Sequence, residues 1–269
     1  MNRNMIVLCA VLLGAFPAGA QTDYYNTDTG RPIRVEDASA VERYAFELQL
    51  APLRLERAGG AYTWEVEPEL AYGILPRTQV EIGFPLMIVD GHHGEGARGL
   101  AGIALAALHN LNTETRRVPA LAVAGEVTLP VGSLAPDRLY PTVKAIATRT
   151  LPFARFHANA QYTAGAAEED ETHAAGSRWM VGLAVDRTFP LRSLLVTADV
   201  FAEQPLREGA ATEWMAEAGV RYQTSPQLNV DVGVGRRLSA GEPGWFVTFG
   251  AAHAFALRSL MGVGAGRSR

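Results

Sequence analysis

Residues 61–73 read AYTWEVEPELAYG. Tyr62, Trp64, Val66, Pro68, Leu70 and Tyr72 share one parity; Glu65, Glu67, Glu69 and Ala71 share the other. Side chains alternate across a strand, so one face is aromatic and aliphatic while the opposite face carries three carboxylates. The same two-residue period returns at 43–56, 78–87, 99–111, 119–131, 142–150, 153–163, 178–187, 193–203, 213–223, 227–237 and 244–255. These segments run about nine to fourteen residues, long for soluble strands and suited to a tilted membrane strand of nine to eleven. One such strand fits a half-buried soluble sheet. Twelve in succession predict an all-β fold, an antiparallel transmembrane β-barrel of about 12 strands, apolar outside and polar within.

The connections support that reading. Tight links such as GILPR, NTETRR and TSP follow the even-numbered segments, whereas the links at 88–98, 132–141, 164–177, 204–212 and 238–243 are longer and richer in Gly, Asp, Glu and His. Short turns on one side and long loops on the other is the asymmetry of an outer-membrane barrel. The four tryptophans, Trp64, Trp179, Trp214 and Trp245, each begin a segment just after a link on the loop side. Tyr72, Phe156, Tyr222 and Phe255 fall at the opposite ends. Two aromatic belts about an aliphatic band match the two membrane interfaces. Pro68 cannot donate to a ladder, and a local bulge is expected there.

The first twenty residues, MNRNMIVLCAVLLGAFPAGA, combine an early Arg3, an apolar run from Met5 to Phe16 and the small-residue close Ala18-Gly19-Ala20. They read as a signal peptide cleaved before Gln21, and an exported barrel of this kind is expected in the bacterial cell outer membrane. The single cysteine, Cys9, lies inside it, so the mature chain has no disulfide, thiolate metal site or cysteine nucleophile. Residues 21–42 show no clear period and read equally as a periplasmic leader or as a plug folded into the barrel. The barrel then spans 43–255, and 256–269 form a C-terminal tail.

Parity turns the polar side chains inward: Glu65, Glu67, Glu69, Glu81, Glu126, Asp199, Glu217 and Asp231, opposed by Lys144, Arg155 and Arg221, with His157 among the neutral lining. Low-dielectric walls focus the field of this acid excess, so a conducting lumen should prefer cations. Alternatively, the cations pair with the acids and fill a closed interior, since small barrels are often plugged by side chains. The net charge of −4 argues against a nucleic-acid partner. Expected partners are outer-membrane lipid and lipopolysaccharide, the barrel assembly machinery and a small-molecule solute.

Two loops carry metal-ligating residue types, DGHHGE with His92 and His93, and EEDETH with His173. Their spacing is not diagnostic, and no metal or other cofactor is expected. No catalytic residue is expected either. The outward histidines, His109 and His253, lack an outward serine beside them, and the chain has no G-x-S-x-G, H-E-x-x-H or phosphate-binding loop.

WEVEPELAYGILPRTQVEIGFPL, GLAGIALAALHNL, VPALAVAGEVTLPVG and PTVKAIATRTLPFARFHANAQYTAG resemble the outer-membrane β-barrel family named for the meta-pathway of phenol degradation. The resemblance covers about residues 41–255 and implies an outer-membrane transporter; it implies neither phenol as solute nor any catalytic residue. One departure is the stretch ALRSLMGVGAGRSR, which follows the final strand ending at Phe255. The function expected is passive passage of small solutes through an acid-lined, cation-preferring channel. The alternative is a closed structural or surface-binding barrel that acts through its loops.

Overall fold

The computed structural model describes residues 26–58, 60–90, 96–165, 177–206, 210–239, 244–257 and 260. The expected signal peptide, His92, His93, His173 and most of the expected tail lie outside the described residues. The strands are β1 (Ala45–Ala58), β2 (Ala61–Leu75), β3 (Thr78–Gly83), β4 (Leu86–Asp90), β5 (Ala97–Leu100), β6 (Ile103–Asn112) and β7 (Ala120–Leu129). They continue as β8 (Tyr140–Thr150), β9 (Arg155–Thr163), β10 (Arg178–Thr188), β11 (Leu194–Pro205), β12 (Glu213–Ser225), β13 (Leu228–Arg237) and β14 (Trp245–Ala256). Strand β1 pairs antiparallel with both β2 and β14, which closes the sheet. Closure removes the edges that a bilayer could not hydrate.

The fourteen strands make twelve staves, because the third and fourth staves are each interrupted. Strands β3 and β4 share the third, split at Phe84–Pro85; β5 and β6 share the fourth, split at Ala101–Gly102. The registers Gly83↔Ala104 and Leu86↔Leu100 leave one extra residue on the fourth stave. Gly102 absorbs it with φ 126°, in the region that disfavours a side chain.

A second bulge lies on β1, where Gln49↔Ala252 is followed by Leu53↔Phe249, and Leu50↔Pro68 by Leu53↔Val66. The irregularity expected at Pro68 is therefore carried by an extra residue on the strand facing it. The bulge reverses parity along β1: Gln49 is buried inside before it, and Arg54 reaches the interior after it.

Outside, the barrel is apolar. Val143, Leu183, Val234 and Phe249 are exposed, as are Trp64, Trp214 and Trp245, while Trp179 is half-buried. Phe46 stacks on Tyr72 and Phe255 at 4.5 and 5.3 Å between ring centroids, across three adjacent strands at the short-turn end. Phe156 and Tyr222 also face outward.

The interior contains more than wall side chains. Residues 26–42 lie within it as an inner segment that doubles back at Asp28–Arg31, where Gly30 (φ 78°) donates to the Ile33 carbonyl (2.9 Å) and Asp37 to the Thr27 carbonyl (3.1 Å), and it is joined to β1 by a turn in which Tyr44 (φ 68°) donates its N–H to the Gly73 carbonyl at 2.7 Å.

Candidate functional site

Beyond the contacts across its own turn, the inner segment is held by side chains of the wall. Five of its backbone N–H groups go to side chains of the wall: Arg34 to Glu217 (2.6 Å), Val35 to Asp199 (2.9 Å), Glu36 to Asn159 (3.0 Å), Ala38 to Thr148 (2.9 Å) and Val41 to Gln79 (2.5 Å). Asn159 also donates to the Glu36 carbonyl at 2.9 Å, so one amide side chain imitates a ladder partner. Asn110 donates likewise to the Ala38 carbonyl at 2.6 Å. These polar side chains satisfy backbone groups that burial would otherwise leave costly.

Alternation gives the segment two faces. Arg31, Ile33 and Val35 are 0 % exposed, and Asp37 is 3 % exposed. Burying Ile33 and Val35 contributes roughly 1.5–3 kcal/mol each. Ala38 packs with inward Leu108, Ala122 and Ile146.

The wall makes room with glycines. A Cβ on Gly182 would stand 2.5 Å from Val35, one on Gly219 2.6 Å from Pro32, one on Gly233 2.3 Å from the Pro32 carbonyl oxygen, and one on Gly250 2.9 Å from the Arg31 Nε. Four staves thus present a smooth track where the segment lies.

At the head of that track, the Arg31 Nη2 donates to Asp231 (2.9 Å) and Asn229 (3.1 Å), while Arg221 donates to the Arg31 carbonyl (2.7 Å), to Asp28 (3.2 Å) and to the Asn26 carbonyl. Burial opposes the Arg31 charge, yet Asp231, Asp28 and Glu47 together hold its pKa above the ordinary arginine value. Further along, Arg155 grips Asp186 with two bonds (2.9 and 2.7 Å) and lies 3.5 Å from Asp37. His157 bridges Asp186 (2.9 Å) and Thr148 (3.0 Å). Because Thr148 accepts from Ala38, a chain of bonds runs Asp186–His157–Thr148–Ala38. Burial raises the Asp37 carboxyl above its usual value, with Arg155 and His157 pulling it back.

Opposite this packed side lies a cavity of about 610 Å³. Glu65, Glu67 and Glu69 of β2, Glu81 of β3 and Glu126 of β7 line it, and Asp28, Arg34 and Glu36 of the inner segment form its other wall. Lys144 also lines it, but its ammonium is engaged by Glu36 (2.6 Å) and the Thr29 hydroxyl (2.9 Å). Arg34 reaches Glu203 at 3.7 Å. Among the described residues no ion pair neutralises the five wall glutamates; Glu81 accepts a hydrogen bond from Gln79.

The structure thus divides the residues expected to line one lumen. Glu65, Glu67, Glu69, Glu81, Glu126 and Lys144 face the cavity. Arg155, His157, Asp199, Glu217, Arg221 and Asp231 point inward but are engaged with or covered by the inner segment, which corrects the expectation that they line open space. Parity missed Arg54, which sits 3.5 Å above the buried Phe246 ring and 3.9 Å from Glu217, because the β1 bulge reverses the pattern. Arg31 and Arg34 have no strand period to reveal them.

The class of molecule is now defined: a closed antiparallel barrel with an apolar exterior, a segment of its own chain inside and an acid-lined cavity beside that segment. The chain belongs to the family described as "Putative MetA-pathway of phenol degradation", whose model matches residues 57–255. Its fold is similar to that of an outer-membrane channel from Pseudomonas putida F1, with TM-score 0.58, 13% identity, and coverage of 85% of this chain and 100% of that one. It is also similar to the NanC porin (0.53, 8% identity, 77% and 98% covered) and to the translocator domain of the autotransporter NalP from Neisseria meningitidis (0.52, 11% identity, 78% and 87% covered). These barrels share the fold of bacterial outer-membrane proteins. No curated protein sequence matches the chain.

Proposed function

We propose that the protein is an outer-membrane channel for small solutes, with cations preferred, and that the path runs through the cavity between the inner segment and β2–β7. The observation that carries this is the set of five wall glutamates that, among the described residues, have no ion-pair partner around open space. An acid-lined, low-dielectric cleft concentrates cations and repels anions. The inner segment acts here as a fixed partition that fills the rest of the barrel. Replacing Glu65, Glu67 and Glu69 together by Gln tests the reading in planar bilayers under a salt gradient. The reversal potential should move toward zero while conductance steps persist; an unchanged potential would place the path elsewhere.

The many wall contacts of the inner segment favour a second reading, a permanently closed barrel that serves as a structural or surface-binding element. Folded protein that shows no conductance would support it.

A further inference from the structure

The outward face of the wall differs around its long-loop rim. On β8–β11 the row at tryptophan height reads Val143, Tyr162, Trp179 and Gln204, paired in succession and uncharged. On β13, β14, β1 and β2 the corresponding row reads Arg236, Trp245, Arg57 and Tyr62, again paired in succession. Directly paired residues of neighbouring strands share a face, and all four of these are exposed. Two arginines therefore stand on the membrane side of the wall with a tryptophan between them. Their backbones are two strand spacings apart, about 10 Å.

A lipid-facing arginine is tolerated where its head reaches the polar interface, so this row marks headgroup height on the long-loop side. The Arg57 guanidinium lies 5.6 Å from the Tyr62 ring centroid, which holds it along the wall. Stacked in that way, it keeps N–H groups for an acceptor. The neighbouring cations Arg54 and Arg237 have carboxylate partners in Glu56 (3.3 Å) and Glu213 (3.4 Å). Among the described residues no ion pair reaches Arg57 or Arg236. Toward the bilayer centre the same strands are smooth and uncharged: Val234, Val247 and Leu55 form the next outward row, and Val232, Phe249 and Leu53 the one after.

We infer that this strip is a docking site for a phosphorylated glycolipid of the outer leaflet, its phosphate held by Arg57 and Arg236 and its acyl chains laid along the aliphatic rows beneath. The planar fork of arginine matches phosphate oxygens with paired bonds. Trp245 and Tyr62 add an indole N–H and a phenol hydroxyl at the same height. Charge complementarity selects the occupant. A phosphomonoester carries close to two negative charges and suits two arginines, whereas a phosphodiester lipid carries one and a zwitterionic lipid brings its own cation. A soluble protein could meet the arginines but could not follow the apolar rows into the bilayer. The site is separate from the cavity and holds whether or not the barrel conducts.

The test titrates the refolded mature chain, in a neutral detergent, with diphosphoryl lipid A, its dephosphorylated form and phosphatidylglycerol, and reads bound lipid by native mass spectrometry. Diphosphoryl lipid A should bind most tightly. Arg57→Gln with Arg236→Gln should weaken it by roughly tenfold, the scale of a lost charge-assisted contact. Arg187→Gln, which removes an outward arginine at the short-turn end, should leave it unchanged. Equal binding by wild type and double variant, an equal loss in Arg187→Gln, or equally tight binding of either comparison lipid overturns the inference.

If the double variant does not assemble, the wild-type barrel still decides the matter. Phenylglyoxal modifies accessible guanidinium groups, and peptide mass spectrometry locates the adducts. Diphosphoryl lipid A should shield Arg57 and Arg236 while Arg187 stays reactive, and inorganic phosphate at the same concentration should shield neither. Modification of Arg57 and Arg236 unaffected by the lipid, equal shielding of Arg187, or equal shielding by inorganic phosphate overturns the site.

Discussion

The two sides of the barrel interior are built from similar residues and behave differently. On the β8–β14 side, acids, amides and a hydroxyl are consumed by the inner segment. Glu217, Asp199, Asn159 and Thr148 each accept a backbone N–H, and Asp231 holds Arg31. On the β2–β7 side, five glutamates face a cavity. What separates the two is the glycine track on β10, β12, β13 and β14, which lets a chain approach the wall, together with the cationic side chains the segment brings to it. A carboxylate in a barrel is a structural group where a backbone or guanidinium reaches it, and a field source where neither does.

The most forceful way to break the comparison is to obstruct the track. Gly233→Val should prevent docking, since even a Cβ there would stand 2.3 Å from the Pro32 carbonyl oxygen. The expected outcome is a large rise in single-channel conductance, with residues 26–42 becoming sensitive to protease; unchanged conductance with a protected segment would contradict the partition. Next in size, Asp231→Ala leaves the buried Arg31 charge without its closest partner. Loss of one member of a buried pair costs about 3–5 kcal/mol, read as faster amide exchange over residues 31–38. Exchange at the wild-type rate would show that the pair does not hold the segment.

Smaller effects sharpen the contrast. Glu126→Gln, on the cavity side, should lower cation preference without altering exchange in the inner segment, whereas Glu217→Gln should alter exchange more than selectivity. If the two variants exchanged these phenotypes, the assignment of sides would be wrong. Least of all, Trp64→Asp at the outward rim should slow membrane assembly by an amount set by a cost of roughly 0–1 kcal/mol for a charge near the interface, followed by the heat-dependent mobility shift of the folded barrel on gels. Complete failure to assemble would place Trp64 deeper than the aromatic belt.

The barrel itself is legible in the sequence because parity is a local rule that holds wherever a stave is continuous. Glu65, Glu67, Glu69, Glu81 and Glu126 could be turned inward on that rule alone. It fails after one inserted residue, which is why Arg54 escapes notice beyond the β1 bulge and why the fourth stave seems unbroken through Gly102. The inner segment is illegible for another reason. Apart from the turn that brings Thr27 to Asp37, its backbone N–H groups go to side chains spread over Gln79, Thr148, Asn159, Asp199 and Glu217, so no long ladder imposes a neighbouring sequence pattern. Gly182, Gly219 and Gly233 read as neutral inward positions until the chain that lies on them is known.

The most direct test of the divided interior is the reversal potential of the refolded mature chain in a planar bilayer under a potassium chloride gradient, measured beside the Glu65→Gln, Glu67→Gln, Glu69→Gln variant. The account predicts discrete conductance steps, a cation-favouring potential in the wild type and a smaller one in the variant. Steps with an anion-favouring or identical potential in both would contradict it.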